Sequence, residues 1–135
     1  MRKIRARGRR LALATVTVEL AVVSPVMFAM LFGIIEFGWL FTVRHTMVNA
    51  AREGARVGAI QGTELGDIEA RITEMLAPMG LDGKVSSNIV EATIDEPTVT
   101  VTLTVPQAAV SLVGNFFGFE MGTVEAFASM RKEGM

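Results

Sequence analysis

The chain has 135 residues, half of them hydrophobic, with a formal net charge of −1, one His and no Cys. Zero Cys excludes disulfides, thiolate metal sites and Cys nucleophiles, and a single His excludes a multi-histidine metal centre. The near-neutral total hides an asymmetry: residues 1–10 carry six cations (Arg2, Lys3, Arg5, Arg7, Arg9, Arg10) and no acid, while the rest holds seven cations and fourteen acids. A basic head on an acidic body points to a membrane address or an anionic partner, not an evenly charged globule.

Residues 11–43 are apolar with two interruptions, Glu19 and Glu36. From Leu20 to Val43 the only charged residue is Glu36. As a helix this stretch covers ~36 Å at ~1.5 Å per residue, enough to cross a hydrocarbon core of ~30 Å. The alternative, a buried soluble helix, needs a core that the ~90 remaining residues are too few to build. With the basic head just before the span, the positive-inside rule places the N-terminus in the cytoplasm and the C-terminal part across the membrane. A cleaved secretory signal is the competitor, but the apolar run is too long and the one good A-x-A, Ala12-Leu13-Ala14, precedes it. Carboxylates in hydrocarbon are expensive, so both acids need a reason. Glu36 is placed to reach the outer interface or to pair with Arg44, and Glu19 to snorkel at the inner one.

Helical character is predicted to continue to about Ile60. Ala51, Gly54, Ala55, Gly58 and Ala59 fall at i, i+3, i+4, i+7 and i+8, a stripe of small residues on one face. Each Gly costs about 1 kcal/mol of helix propensity relative to Ala, so such a stripe means that another backbone comes close, from a sheet of the same chain or a helix of a neighbour. Residues 64–77 read as an amphipathic helix with Thr63 as N-cap, apolar positions Leu65, Ile68, Ile72, Met75 and Leu76, and Pro78 and Gly80 as its stop. Thr98–Val105 alternates for eight residues and is the clearest strand. Its valines and Leu103 would face the core and its threonines water. Residues 84–94 form a weaker strand ending in Val90, Ala92 and Ile94, and Asp95-Glu96-Pro97 a turn. Thr123–Arg131 is a third strand, with Val124, Ala126, Ala128 and Met130 on one face. The intervening Pro106–Gly122 is a short helix or an apolar loop, and Val110–Phe119 within it is a candidate contact surface.

Catalysis has little to rest on. There is no Ser/His/acid set and no phosphate-binding glycine loop, and His45 reads as an interfacial residue. The basic head lacks interleaved aromatics, so it reads as a topology signal and not a nucleic-acid site. No cofactor, metal or small-molecule substrate is expected. The fold class is α+β: a long N-terminal transmembrane helix extending into a small domain, with one amphipathic helix and an antiparallel sheet of about three strands. The expected organisation is a basic cytoplasmic leader over 1–14, the transmembrane and extended helix over 15–60, and an extracytoplasmic domain over 61–135.

The segments Ala14-Thr15-Val16-Thr17-Val18-Glu19-Leu20, Ser24-Pro25, Gly33-Ile34-Ile35-Glu36-Phe37-Gly38 and Asn49-Ala50-Ala51-Arg52-Glu53-Gly54-Ala55-Arg56 together resemble the TadE-like proteins. These are pseudopilins, or minor pilins, of the tight-adherence (Tad, Flp) pilus machinery. The resemblance covers residues 9–58 and is compatible with the strand-rich tail. It implies a bacterial inner-membrane, single-pass protein that a prepilin peptidase cuts before the apolar segment. With Glu19 at position +5, the cut falls between Ala14 and Thr15. Ala14 stands where the family usually has Gly, and Leu20 where an aromatic often follows the glutamate. The resemblance further implies that Glu19 meets the new amine of Thr15 on a neighbouring subunit, a pair able to fix axial register. It implies a packing or extraction role for Pro25, and helix–domain or helix–helix contacts for Glu36, Asn49, Arg52, Glu53 and Arg56. The stripe glycines Gly54 and Gly58 join them as assembly or packing positions. The implied partners are the lipid bilayer, the prepilin peptidase, other Tad pilins or pseudopilins and the pilus assembly platform. The second reading, from another class, is a single-pass anchored extracytoplasmic adaptor that is not processed as a pilin.

Overall fold

The computed structural model describes residues 2–114 and 122–134, with side chains from Thr15 onward. Helix α1 runs Arg2–Gly58, without a break at Pro25. It belongs to two compact units, one ending at Ile35 and the other beginning at Glu36. In the first, the apolar side chains from Val16 to Ile35 point outward, with Val22, Ile34 and Met30 each about two-thirds exposed. From Thr15 on, α1 is long and apolar enough to cross a membrane.

The second unit is an α+β domain built on the last part of α1. Helix α2 spans Leu65–Leu76, a 3-10 turn Ala77–Met79 follows, and helix α3 is the single turn Gln107–Val110. Strands β1 (Ser86–Val90), β2 (Thr98–Pro106) and β3 (Thr123–Arg131) form an antiparallel meander in the order β1-β2-β3. The register sets Ile89 opposite Val101, and Val101 opposite Ala128. Val99, Val101, Leu103 and Val105 are at most 1% exposed, and with Val124 and Ala126 they make the inner face of the sheet. The threonines of β2 are half-buried, because they lie in the central strand between neighbours on both sides. Phe127, by contrast, stands out on the far face of the edge strand β3.

Two expected boundaries move, and Gln107–Val113 is part helix and part loop. The N-cap of α2 is Glu64, whose N–H donates to the Asp67 carboxylate at 3.2 Å, while the Thr63 hydroxyl donates back to the Val57 carbonyl at 3.0 Å. Thr63 therefore closes the end of α1 instead of opening α2. Strand β1 stops at Val90, short of Ala92 and Ile94. The Thr93 amide bonds the Glu96 carbonyl and its hydroxyl accepts from the Glu96 amide, which turns the chain out of the ladder and leaves Ile94 92% exposed. Between β2 and β3, α3 ends at Val110, and Ser111 to Val113 are non-helical.

The core lies between α1, α2 and the sheet. Val43, Met47, Ala50, Ala51 and Ala55 form one fully buried stripe on α1. Ile68, Ile72 and Leu76 of α2 are buried against it. Each such branched apolar side chain contributes about 1.5–3 kcal/mol when removed from water. At the far end, the Glu133 amide donates to the Ala59 carbonyl at 2.9 Å and Gln61 Nε2 to the Glu133 carbonyl at 3.1 Å, returning the chain after β3 to the end of α1.

Candidate functional site

Three groups of residues on α1 carry the features that the sequence singles out. The first is Glu36, 6% exposed and the one buried charged residue among those described. It does not pair with Arg44. Its Oε1 accepts from the Ser111 hydroxyl at 2.5 Å, and its Oε2 accepts from the amides of Leu112 at 3.0 Å and Val113 at 2.8 Å. A carboxylate taken out of water needs donors of this kind, and backbone amides supply them without a second charge. One turn on, Trp39 Nε1 donates to the Val110 carbonyl at 2.6 Å. Glu36 and Trp39 thus form a clasp on residues 110–113, more than 70 positions away in sequence.

The second group is the small-residue seam. A Cβ on Gly54 would lie 2.8 Å from Ile72 Cγ1, and one on Gly58 would lie 2.8 Å from Ile68 Cδ1 and 2.9 Å from Val99 Cγ1. Gly54 therefore marks where α2 meets α1, and Gly58 where both α2 and β2 do. The close partner is α2 and the sheet of the same chain.

The third group is a surface ion-pair network. Glu53 accepts from Arg56 at 2.7 Å, one turn away, and from Arg71 of α2 at 3.1 Å, while Arg71 also reaches Glu74 at 2.7 Å. The Arg56 hydrogen bond, with Arg71 beside it, holds the Glu53 carboxyl down at about 2 from an ordinary 4.5. Both guanidiniums are correspondingly raised. A depressed carboxylate stabilises the fold above its unfolded pKa, and that contribution is lost as pH falls toward the folded value. The α1–α2 contact of the wild type should therefore weaken between pH 4.5 and about 2, and that of Glu53→Gln should be flatter across the same window. Amide exchange in Leu65–Leu76 followed over that range checks this. Glu53 and Arg71 are half-buried and Arg56 is exposed, so salt reduces the difference in part.

The other singled-out residues are on the surface or outside the described side chains. Asn49 and Arg52 are exposed on α1. Pro25 is exposed within the helix. Glu19 is exposed and borders a shallow apolar groove with Val16, Leu20 and Val23. Thr15 is exposed near it, and the side chain of Ala14 lies outside the described residues. Of the candidate contact segment, Val110 is buried and Leu112 is 57% exposed; Phe116, Phe117 and Phe119 lie outside the described residues. Sequence reasoning missed Trp39, Ser111 and Arg71. Trp39 had a usable signal, as the single Trp, one turn from an acid in an apolar run.

No group of acids and histidines able to hold a metal occurs among the described residues. Comparison with curated proteins gives no match, and comparison with solved structures gives none either. Residues 14–56, which hold Glu19, Pro25, the Glu36–Trp39 clasp and the start of the small-residue seam, match the family model of the TadE-like proteins.

Proposed function

We propose that this chain is a membrane-anchored pseudopilin or minor pilin that takes part in assembling a Tad (Flp, type IVb-like) pilus. The TadE-like match over residues 14–56 carries the reading, because it lies on the apolar helix and the residues that tie it to the domain. It points to a Tad pilus-associated structural protein, not an enzyme. In this reading α1 anchors the protein in the bacterial inner membrane, with the basic head in the cytoplasm and the α+β domain outside it. A prepilin peptidase removes residues 1–14. The amine so created on Thr15 of one subunit meets Glu19 of the next, and their pairing in a low-dielectric bundle sets the axial register. Filament partners are other Tad pilins or pseudopilins, delivered through the assembly platform.

N-terminal sequencing of the protein extracted from membranes, with and without the prepilin peptidase, tests this. The expected result is a peptidase-dependent start at Thr15, with Glu19→Gln reducing incorporation into the filament. An intact N-terminus in both strains would leave a signal-anchored adaptor and remove the Glu19–amine pairing.

A further inference from the structure

We infer that the loop Ser111–Val113 is a lipid-contacting element, seated in the outer interface of the bilayer beside Phe37 and Phe41. The inference rests on the membrane-anchored reading above and adds a surface that this reading does not require.

The first observation is a shortfall in length. Glu19 and Glu36 enclose only the sixteen residues Leu20–Ile35. As helix they cover ~24 Å, about 6 Å less than a hydrocarbon core of ~30 Å. The positions that follow continue the apolar exposure: Phe37 is 74% exposed and Phe41 64% exposed, one turn apart on the same side of α1. Counted from Leu20 through Phe41, the helix covers ~33 Å and the shortfall disappears. Glu36 then lies inside the membrane boundary, not beyond it.

A carboxylate and an irregular loop are both tolerated at that depth only when their polar groups are satisfied within the protein. The Glu36 carboxylate and the donors of this loop are. Glu36 accepts the Ser111 hydroxyl and the Leu112 and Val113 amides, the Ser111 amide bonds the Gln107 carbonyl, and the Val110 carbonyl accepts from Trp39. What the loop leaves outside is Leu112, an apolar side chain 57% exposed on backbone held level with residue 36. The partner that fits is a lipid surface, contacted by Phe37 and Phe41 of α1 and by Leu112 of the loop.

The chain has no Cys, so single-Cys variants carry one spin label each. The full-length protein goes into phosphatidylcholine–phosphatidylglycerol vesicles with a label at Phe37→Cys, Phe41→Cys or Leu112→Cys. Ile34→Cys serves as the lipid reference and Phe127→Cys, on the outer face of the sheet, as the aqueous reference. All five side chains are exposed, so labelling leaves the packing intact. Labels at 37, 41 and 112 are expected to relax with oxygen in preference to a water-soluble nickel chelate, as at 34, and label 127 is expected to do the reverse. A label at 112 that follows 127 while 34 stays lipid-like would overturn this inference and leave the anchor standing. A nickel-accessible label at 34 would overturn the anchor, and the inference with it. On the unaltered chain, a phospholipid with a diazirine high in its acyl chain should crosslink the peptide containing Leu112. Crosslinks restricted to residues 16–35 would count against the loop.

Discussion

Replacing Gly58 with Val should destabilise the domain by about 3 kcal/mol or more. A Cβ there meets Val99 Cγ1 at 2.9 Å and Ile68 Cδ1 at 2.8 Å. Ile68 presents the far end of a flexible side chain and can swing aside. Val99 presents a β-branched carbon close to the backbone of the central strand and cannot move without it. The same contrast ranks the alanine variants. Gly→Ala in a helix gains about 1 kcal/mol of propensity, against about 1–3 kcal/mol for overpacking. At Gly54 the obstacle is Ile72, whose Cγ1 at 2.8 Å is also attached to a β-branched carbon, so Gly54→Ala should cost about 1 kcal/mol. At Gly58 the central strand is involved as well, so Gly58→Ala should cost about 2 kcal/mol. Denaturant midpoints in detergent, read by the fluorescence of Trp39, give all three values. A Gly58→Val protein as stable as the wild type would show that α1 and β2 are not held this closely in solution.

Removing the Glu36 carboxylate is the other large effect. In Glu36→Ala the Ser111 hydroxyl and the Leu112 and Val113 amides lose their acceptor together, each at about 1–3 kcal/mol when it stays shielded from water. Local rearrangement recovers part of that sum, so the expected loss is about 3 kcal/mol. Glu36→Gln keeps one acceptor oxygen and should lose about half as much. The damage should also be local: cleavage by protease within residues 110–114 should rise before any cleavage in β2 or α2. Trp39→Phe offers an independent check, since it releases only the Val110 carbonyl and should cost about 1 kcal/mol.

Much of this architecture is legible in the sequence, for reasons that separate local patterns from distant ones. The alternation of Thr98–Val105 and the apolar positions of Thr123–Arg131 announce two strands, and both appear at those residues. The small residues from Ala51 to Ala59 announce a close approach, because an unfilled helix face has few other uses. What they do not disclose is the partner: Ile72 and Val99 are ordinary apolar residues in their own elements. The clasp was beyond reach for the same reason. Glu36 advertises its need for donors, but Ser111 to Val113 look like any loop, and nothing local ties them to a residue 75 positions earlier. Arg44, only two turns away, was the nearer candidate, and a buried carboxylate met by amides avoids desolvating a second charge. The misplaced N-cap at Thr63 is a contest between adjacent polar residues, decided by the reach of Thr63 back to Val57.

The order in which the clasp and the seam are made differs from the order in which they are needed. Glu36, Trp39, Gly54, Gly58 and Ala59 are all synthesised first. Their partners come later, Ile72 soon, Val99 next, then Ser111 to Val113, and Glu133 after β3. Closing loops of this length costs entropy only slowly with size, so the delay is one of arrival and not of energy. During emergence the buried stripe from Val43 to Ala59 is therefore a bare apolar surface without its sheet. A nascent chain in that condition invites contact with any neighbouring helix that offers the same face, and it is the arrival of β2 that ends the competition.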